Sequence, residues 1–125
     1  MKTRLTDRRK WVREADKYFS RYIIQRDKKT CQRCHSQPSR PQNSHFFGRR
    51  MISVRWDENN CDCLCGACHM YWEKEDREGY REFKIKQLGQ KGFDELNLRA
   101  HTKVKSADPF LMAEAYKQRL EFNFV

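Results

Sequence analysis

Asn60-Cys61-Asp62-Cys63-Leu64-Cys65-Gly66-Ala67-Cys68-His69 is the stretch on which the fold of this chain turns. Its Cys65-x-x-Cys68 has a counterpart upstream in Cys31-x-x-Cys34, with 30 residues between the two pairs. A C-x-x-C turn lets the backbone offer two thiolates to one ion, and two such turns complete a tetrahedron. The spacing therefore predicts a structural Zn2+ site built from Cys31, Cys34, Cys65 and Cys68. His35, directly after Cys34, reads as a surface residue of the knuckle. Cys61 and Cys63 stand outside the set; a two-residue spacing suits small side chains packed from a strand into the core.

Such a staple answers a need. Only 38% of the 125 residues are hydrophobic and the mean hydropathy is −1.08, a thin supply for one core. A bound metal is one device that lets a small core fold. No segment approaches the ~18 consecutive apolar residues of a membrane span. The basic start, Met1 to Trp11, leads into no apolar region and so does not read as a secretory signal. A cytoplasmic chain keeps its thiols reduced, which favours metal over disulfides.

Charge is distributed unevenly. Residues 1–27 carry nine basic and four acidic side chains, residues 28–56 seven basic and none acidic, and residues 57–125 eleven basic and thirteen acidic. All of the net +10 therefore lies in the half that contains His45. A localised basic field is the electrostatic footprint of nucleic-acid binding, although a soluble basic face would look the same.

The local signals predict a helix capped by Thr6 and running to about Arg26, with Trp11, Val12, Ala15, Tyr18, Phe19, Tyr22 and Ile23 as an apolar stripe belonging to the core. Residues 27–43 read as irregular. A short strand is expected at Asn43–Phe47 and a second at Ile52–Trp56, with Cys61–Leu64 as a brief connection. A helix from Gly66 to about Leu88 carries Cys68, His69, Trp72 and Glu73, with a break at Gly79. Gly89 and Gly92 punctuate ahead of a helix near Phe93–Ala100. Asp108-Pro109 starts a last helix whose apolar positions are Phe110, Leu111, Ala115 and Leu120, with Tyr116 less clearly among them. The resulting organisation is a basic N-terminal helix over 1–28, a stapled core over 29–89 and a helical extension over 90–125, in one compact domain.

Between and around the cysteine pairs stand Ser44-His45-Phe46, Asn60 and His69. In that order, over about residues 31–73, the chain resembles the zinc-stapled HNH (ββα-metal) nucleases. His45-Phe46-x-x-Arg49 and Arg55-Trp56-Asp57-x-x-Asn60 are most similar to the phage NinG/Rap recombination nucleases. The paired cysteines also look like those of the phage endonuclease VII junction resolvases. The resemblance implies a small α+β fold, a ββα-metal core flanked by N- and C-terminal helices. It implies that His45 is the general base, that Asn60 braces the loop and orients His45, and that His69 ligates a catalytic Mg2+ or Mn2+. Ser44 stands where many HNH enzymes have a metal-binding aspartate; Glu73, one helical turn after His69, and Asp62 are the candidates to supply an oxygen instead. Arg49, Arg50 and Arg55 are candidate phosphate contacts, Arg49 foremost by the family pattern. His101 has no identifiable partner.

The implied activity is metal-dependent hydrolysis of DNA, on branched recombination intermediates, by a phage- or prophage-encoded protein in a bacterial cytoplasm. By analogy with junction resolvases it would act as a homodimer. A non-catalytic zinc-containing DNA-binding protein, and a sequence-specific HNH nuclease of the homing or restriction type, remain alternatives.

Overall fold

Apolar residues three and four apart form the first helix, α1 (Arg4–Arg26). In the computed structural model, which describes residues 4–103 and 107–122, this stripe is core: Ala15, Phe19 and Ile23 are buried and Trp11, Val12, Tyr18 and Tyr22 pack around them. Thr6 lies inside the helix and is not its cap. At the other end the chain reverses as Lys28 N–H reaches Gln25 O (3.0 Å) and Lys29 N–H reaches Ile24 O (2.9 Å), both lysines at φ 56°. These two bonds make a Schellman cap.

Turns and loop occupy residues 27–41. β1 (Gln42–His45) then pairs antiparallel with β2 (Cys61–Leu64), placing Ser44 opposite Asp62 and His45 opposite Cys61. The second strand is therefore not at Ile52–Trp56, where alternation suggested it. Ile52–Val54 is a single 3-10 turn, because Val54 N–H returns to Met51 O (3.0 Å) and Arg55 N–H to Ile52 O (3.3 Å). The segment first read as a connection is the strand. It has partners along both edges: β1 on one, and on the other Arg26 donating to Cys61 O (2.7 Å), Gln32 N–H donating to Cys63 O (2.9 Å), and Asp27 accepting from Cys63 N–H (2.8 Å). Covering an edge in this way closes it to other chains.

Side chains alternate across this small sheet. Asn43, His45, Cys61 and Cys63 face α1, where Asn43 donates to Ser20 Oγ (3.1 Å) and Cys61 joins the α1 core. Ser44, Asp62 and Leu64 face the later helices. α2 (Gly66–Met70) is capped by Cys65, passes into a π turn at Tyr71–Glu75 and stops at Asp76, whose carboxylate accepts the Gly79 N–H (2.9 Å) to start α3 (Arg77–His101). The break expected at Gly79 thus falls three residues earlier, and Gly79 is the cap's partner: a side chain there would collide with the Asp76 carboxylate. Gly89, at φ 76° and ψ 160°, kinks α3 where glycine punctuation predicted an interruption.

α4 (Pro109–Phe122) begins as its sequence predicts, with Asp108 accepting the Phe110 N–H (2.9 Å) and Pro109 in the first turn. Its buried face differs: Pro109, Ala113 and Tyr116 point inward, while Leu111 and Ala115 are exposed. Tyr116 sets this rotation. Its ring meets Phe19 edge-on at 5.0 Å and lies 5.2 Å from Tyr22, and its hydroxyl donates to Glu58 (3.0 Å). A second core of Phe46, Leu64, Trp72, Tyr80 and Phe93 binds the sheet to α3, and a third gathers Val54, Leu96 and Ala100. No described helix is long and apolar enough to cross a membrane.

Asp62 and Lys84 are both fully buried and form an ion pair at 3.0 Å. Gln87 completes the pair, donating to Asp62 Oδ1 (2.9 Å) and accepting from Lys84 (2.7 Å), and the Tyr80 hydroxyl donates to Asp62 Oδ2 (3.2 Å). Removing one partner leaves a buried charge uncompensated. Lys84→Met should therefore lower the unfolding free energy by about 3–5 kcal/mol, read as a fall in the urea midpoint, and the double variant Lys84→Met/Asp62→Leu should recover most of it.

Candidate metal centre and histidine cleft

The sulfurs of Cys31, Cys34, Cys65 and Cys68 all lie within 4.8 Å of one another, with 3.9 Å between Cys34 and Cys65. Thiolates at ~2.3 Å from a tetrahedral zinc stand about 3.8 Å apart, so the set fits an ion of that size. Both turns have the same form: the Cys34 N–H points at the Cys31 sulfur (3.5 Å) and the Cys68 N–H at the Cys65 sulfur (3.4 Å). Hydrogen bonds from Ser36 draw the Cys34 thiol down to about 6, whereas burial pushes Cys68 up to about 12. Four close sulfurs able to exchange their protons for a cation can hold a structural metal such as zinc. His35 is exposed and outside the set, and Cys61 and Cys63 are buried in the core, as their spacing indicated.

Beside this centre runs a cleft of about 380 Å³ lined by His45, His69, Glu73, Arg49, Asp16 and Ser20, among others. His45 ends β1. Its Nε2 lies 3.0 Å from Arg55 O. A carbonyl oxygen only accepts, so Nε2 carries the proton and Nδ1 keeps a lone pair. Burial holds the His45 imidazole below its usual 6.5, helped by the Arg49 charge, while the bond to the Arg55 carbonyl opposes the shift. Asn60 makes this contact possible. Fully buried, it accepts the Phe47 N–H (2.8 Å) and donates to Phe47 O (2.9 Å) and Val54 O (3.1 Å), fixing the loop that delivers the Arg55 carbonyl.

His69 sits on α2 with Nδ1 donating to Gln42 Oε1 (2.7 Å). That bond turns the Nε2 lone pair toward Glu73 Oε2, 4.0 Å away, too far for a hydrogen bond. Asp62 does not join them: its oxygens are occupied by Lys84, Gln87 and Tyr80, which removes it as a ligand candidate. Ser44 is buried with its hydroxyl 3.0 Å from that of Tyr80.

The three arginines separate. Arg55 forms a two-pronged pair with Asp16, Nε at 3.0 Å from Oδ1, and Trp56 Nε1 shares that oxygen at 3.0 Å. It ties the loop to α1 and is not free to contact a phosphate. Arg49 lies 3.6 Å from Asp16 with a 62% exposed side chain, and Arg50 is exposed. Arg77 was missed by sequence reading: it lines the cleft's smaller lobe with His45, His69 and Glu73 and lies 4.3 Å over the Phe46 ring. Gln42 and Asp16 were missed as well. A cation just after the last motif element was the one available signal for Arg77; Gln42 and Asp16 carried none. His101 is exposed and stands edge-on to Phe47 at 5.6 Å.

Metal analysis should find about one zinc per chain, and Cys65→Ser or a strong chelator should unfold the protein; a folded, metal-free wild type would rule the staple out. Proton NMR should give His45 a midpoint below 6.5. A folded-state value below the unfolded one contributes stability that is complete above the unfolded pKa and is lost as pH falls through the folded pKa. A His45→Gln variant should therefore lose less stability than the wild type on acidification below 6.5. No family model, no curated protein and no solved structure matches this chain, so its own geometry is the ground for a functional reading.

Proposed function

We propose that the chain is a metal-dependent endonuclease of the HNH type that hydrolyses phosphodiester bonds in DNA. The observation that carries the reading is the pair of histidines in one cleft, each with one ring nitrogen anchored and the other left with its lone pair. The order of β1, β2 and α2, with His45, Asn60 and His69 in turn, supports a ββα-metal core of the kind the motifs resemble.

His45 Nδ1 is the base: it takes a proton from water as the water oxygen attacks phosphorus and the P–O3′ bond breaks. The family resemblance implies 5′-phosphate and 3′-hydroxyl ends. His69 Nε2 and Glu73 Oε2, 4.0 Å apart, are the groups that would hold a divalent ion. When bound, Mg2+ or Mn2+ supplies polarisation of the scissile phosphate and neutralises the leaving oxygen. Arg49, Arg50 and Arg77 are the phosphate contacts. Arg13 and Arg9 extend the track, about one and two turns before Asp16 on the α1 face that gives Asp16 and Ser20 to the cleft. Recognition of branched DNA by shape, a bacterial phage source and a homodimer belong to the same reading.

One observation favours a second reading, a non-catalytic zinc-containing DNA-binding protein: with Ser44 and Asp62 engaged elsewhere and Asp16 held by Arg55 and Trp56, His69 and Glu73 are what the described residues leave for a metal beside His45. A cleavage panel of four-way junction, flap, single strand and linear duplex with Mg2+ or Mn2+ separates the two. Cleavage that falls about 10²–10⁴-fold in His45→Ala with DNA binding retained is the expected result. A wild type that cuts no DNA form sinks the enzyme reading, and one preferred site on linear duplex would move it to the homing or restriction type.

A further inference from the structure

Around α1 from the histidine cleft, a groove of about 620 Å³ opens between α1 and α4. At ~100° per residue, Tyr18, Arg21 and Gln25 stand more than a quarter turn away from Asp16 and Ser20, so the two concavities are separate. Tyr18, Ile24 and Leu120 give the groove an apolar floor, and Arg21, Lys29 and Lys117 stand round it against a single acid, Glu121. The volume falls within the ~300–1,000 Å³ of ordinary ligand pockets.

The cations of this rim are unlike their neighbours. Lys17 is paired with Glu14 at 3.0 Å, Arg26 with Asp27 at 3.0 Å and Arg119 with Glu58 at 2.7 Å. Arg21, Lys29 and Lys117 have no carboxylate partner among the described residues. Among the described residues Arg21 meets the Tyr18 ring, at 5.9 Å. Lys29 is held at the groove's end by the Schellman cap of α1, its N–H on Ile24 O at 2.9 Å. An apolar floor with a cationic rim complements an anion that also carries a bulky apolar group. Duplex DNA meets the rim and leaves the floor empty, since its bases are stacked away from its phosphates. A peptide can satisfy both.

We propose that this groove binds a short acidic segment of a partner protein, one large apolar side chain seated over Tyr18, Ile24 and Leu120 and its flanking carboxylates on Arg21, Lys29 and Lys117. The site is independent of the histidines and of what they do. It would attach the protein to a partner while leaving the cleft open.

Fluorescence anisotropy with the zinc-loaded full chain tests this, using a labelled peptide of four acidic residues followed by Leu-Phe. Saturable binding should weaken with added salt, and Arg21→Glu/Lys117→Glu should reduce it about tenfold or more, since rim charges govern such contacts. His45→Ala should bind as the wild type does, which keeps this result apart from the fate of the nuclease reading. Circular dichroism and zinc content establish that the charge-reversed variant is folded. The proposal is overturned by no saturable binding, or by equal affinity for a peptide ending in Ser-Ser. It is equally overturned if charge reversal abolishes duplex DNA binding but leaves peptide binding intact, or abolishes self-association of the chain in sedimentation while leaving peptide binding intact.

Discussion

Four sulfur atoms within 4.8 Å join the 27–41 loop to the start of α2, beside the Gln32 N–H bond to Cys63 O and the Arg33 guanidinium over the Tyr71 ring. Residues 27–41 have no helix or strand, and Cys31 is their only contribution to the core. Thiols do not attract one another, so a cation between them is what would hold this loop against the start of α2. The consequences run outward from there. Cys65 both belongs to the cluster and caps α2, so the helix carrying His69 starts where the cysteine cluster ends. The loop leads directly into β1, which delivers Gln42 to His69 and His45 to the cleft. The cysteine cluster thereby bears on the separation of His45 and His69.

β2 shows why so small a sheet needs so much around it. All four of its residues are buried, a pattern of strands covered on both faces. One face meets α1 and the other α3, and a carboxylate lies in the middle of the second. An unpaired charge there would be untenable, and α3 answers it with Lys84, Gln87 and Tyr80 on one helical face. Tyr80 also reaches Ser44, which is thereby drawn into the packing of α3. Structural demand and ligand supply compete here for the same groups.

A similar competition sorts the basic residues. Asp16 gathers Arg55 and Trp56 and comes within 3.6 Å of Arg49, so one carboxylate locks the 49–56 loop and tempers the field at the cleft mouth. Arg26 is spent on backbone carbonyls of Glu58 and Cys61, and Arg99 on Asp57. The count of 27 basic side chains therefore overstates what is available to an anionic partner. Arg49 at the cleft rim keeps most of its side chain exposed, and Arg21, Lys29 and Lys117 line the α1–α4 groove.

The amino-acid sequence by itself determined the features that rest on local spacing. The two C-x-x-C turns, the α1 stripe, the Asp108-Pro109 start and the interruption at Gly89 each follow from residues a few positions apart, whose geometry the backbone sets without outside help. The order His45, Asn60, His69 was legible in the same way. Tertiary structure alone decided matters that depend on partners far along the chain. Arg55 could be taken for a phosphate contact until Asp16, 39 residues earlier, claimed it, and Asp62 for a metal ligand until Lys84, 22 residues later, did. The second strand moved from Ile52–Trp56 to Cys61–Leu64 because the latter finds hydrogen-bond partners on both edges, from Arg26, Asp27 and Gln32 as well as β1. Alternation of side chains cannot report that. Polar groups are assigned by whichever partner burial brings within about 3 Å, and long-range burial is a property of the fold.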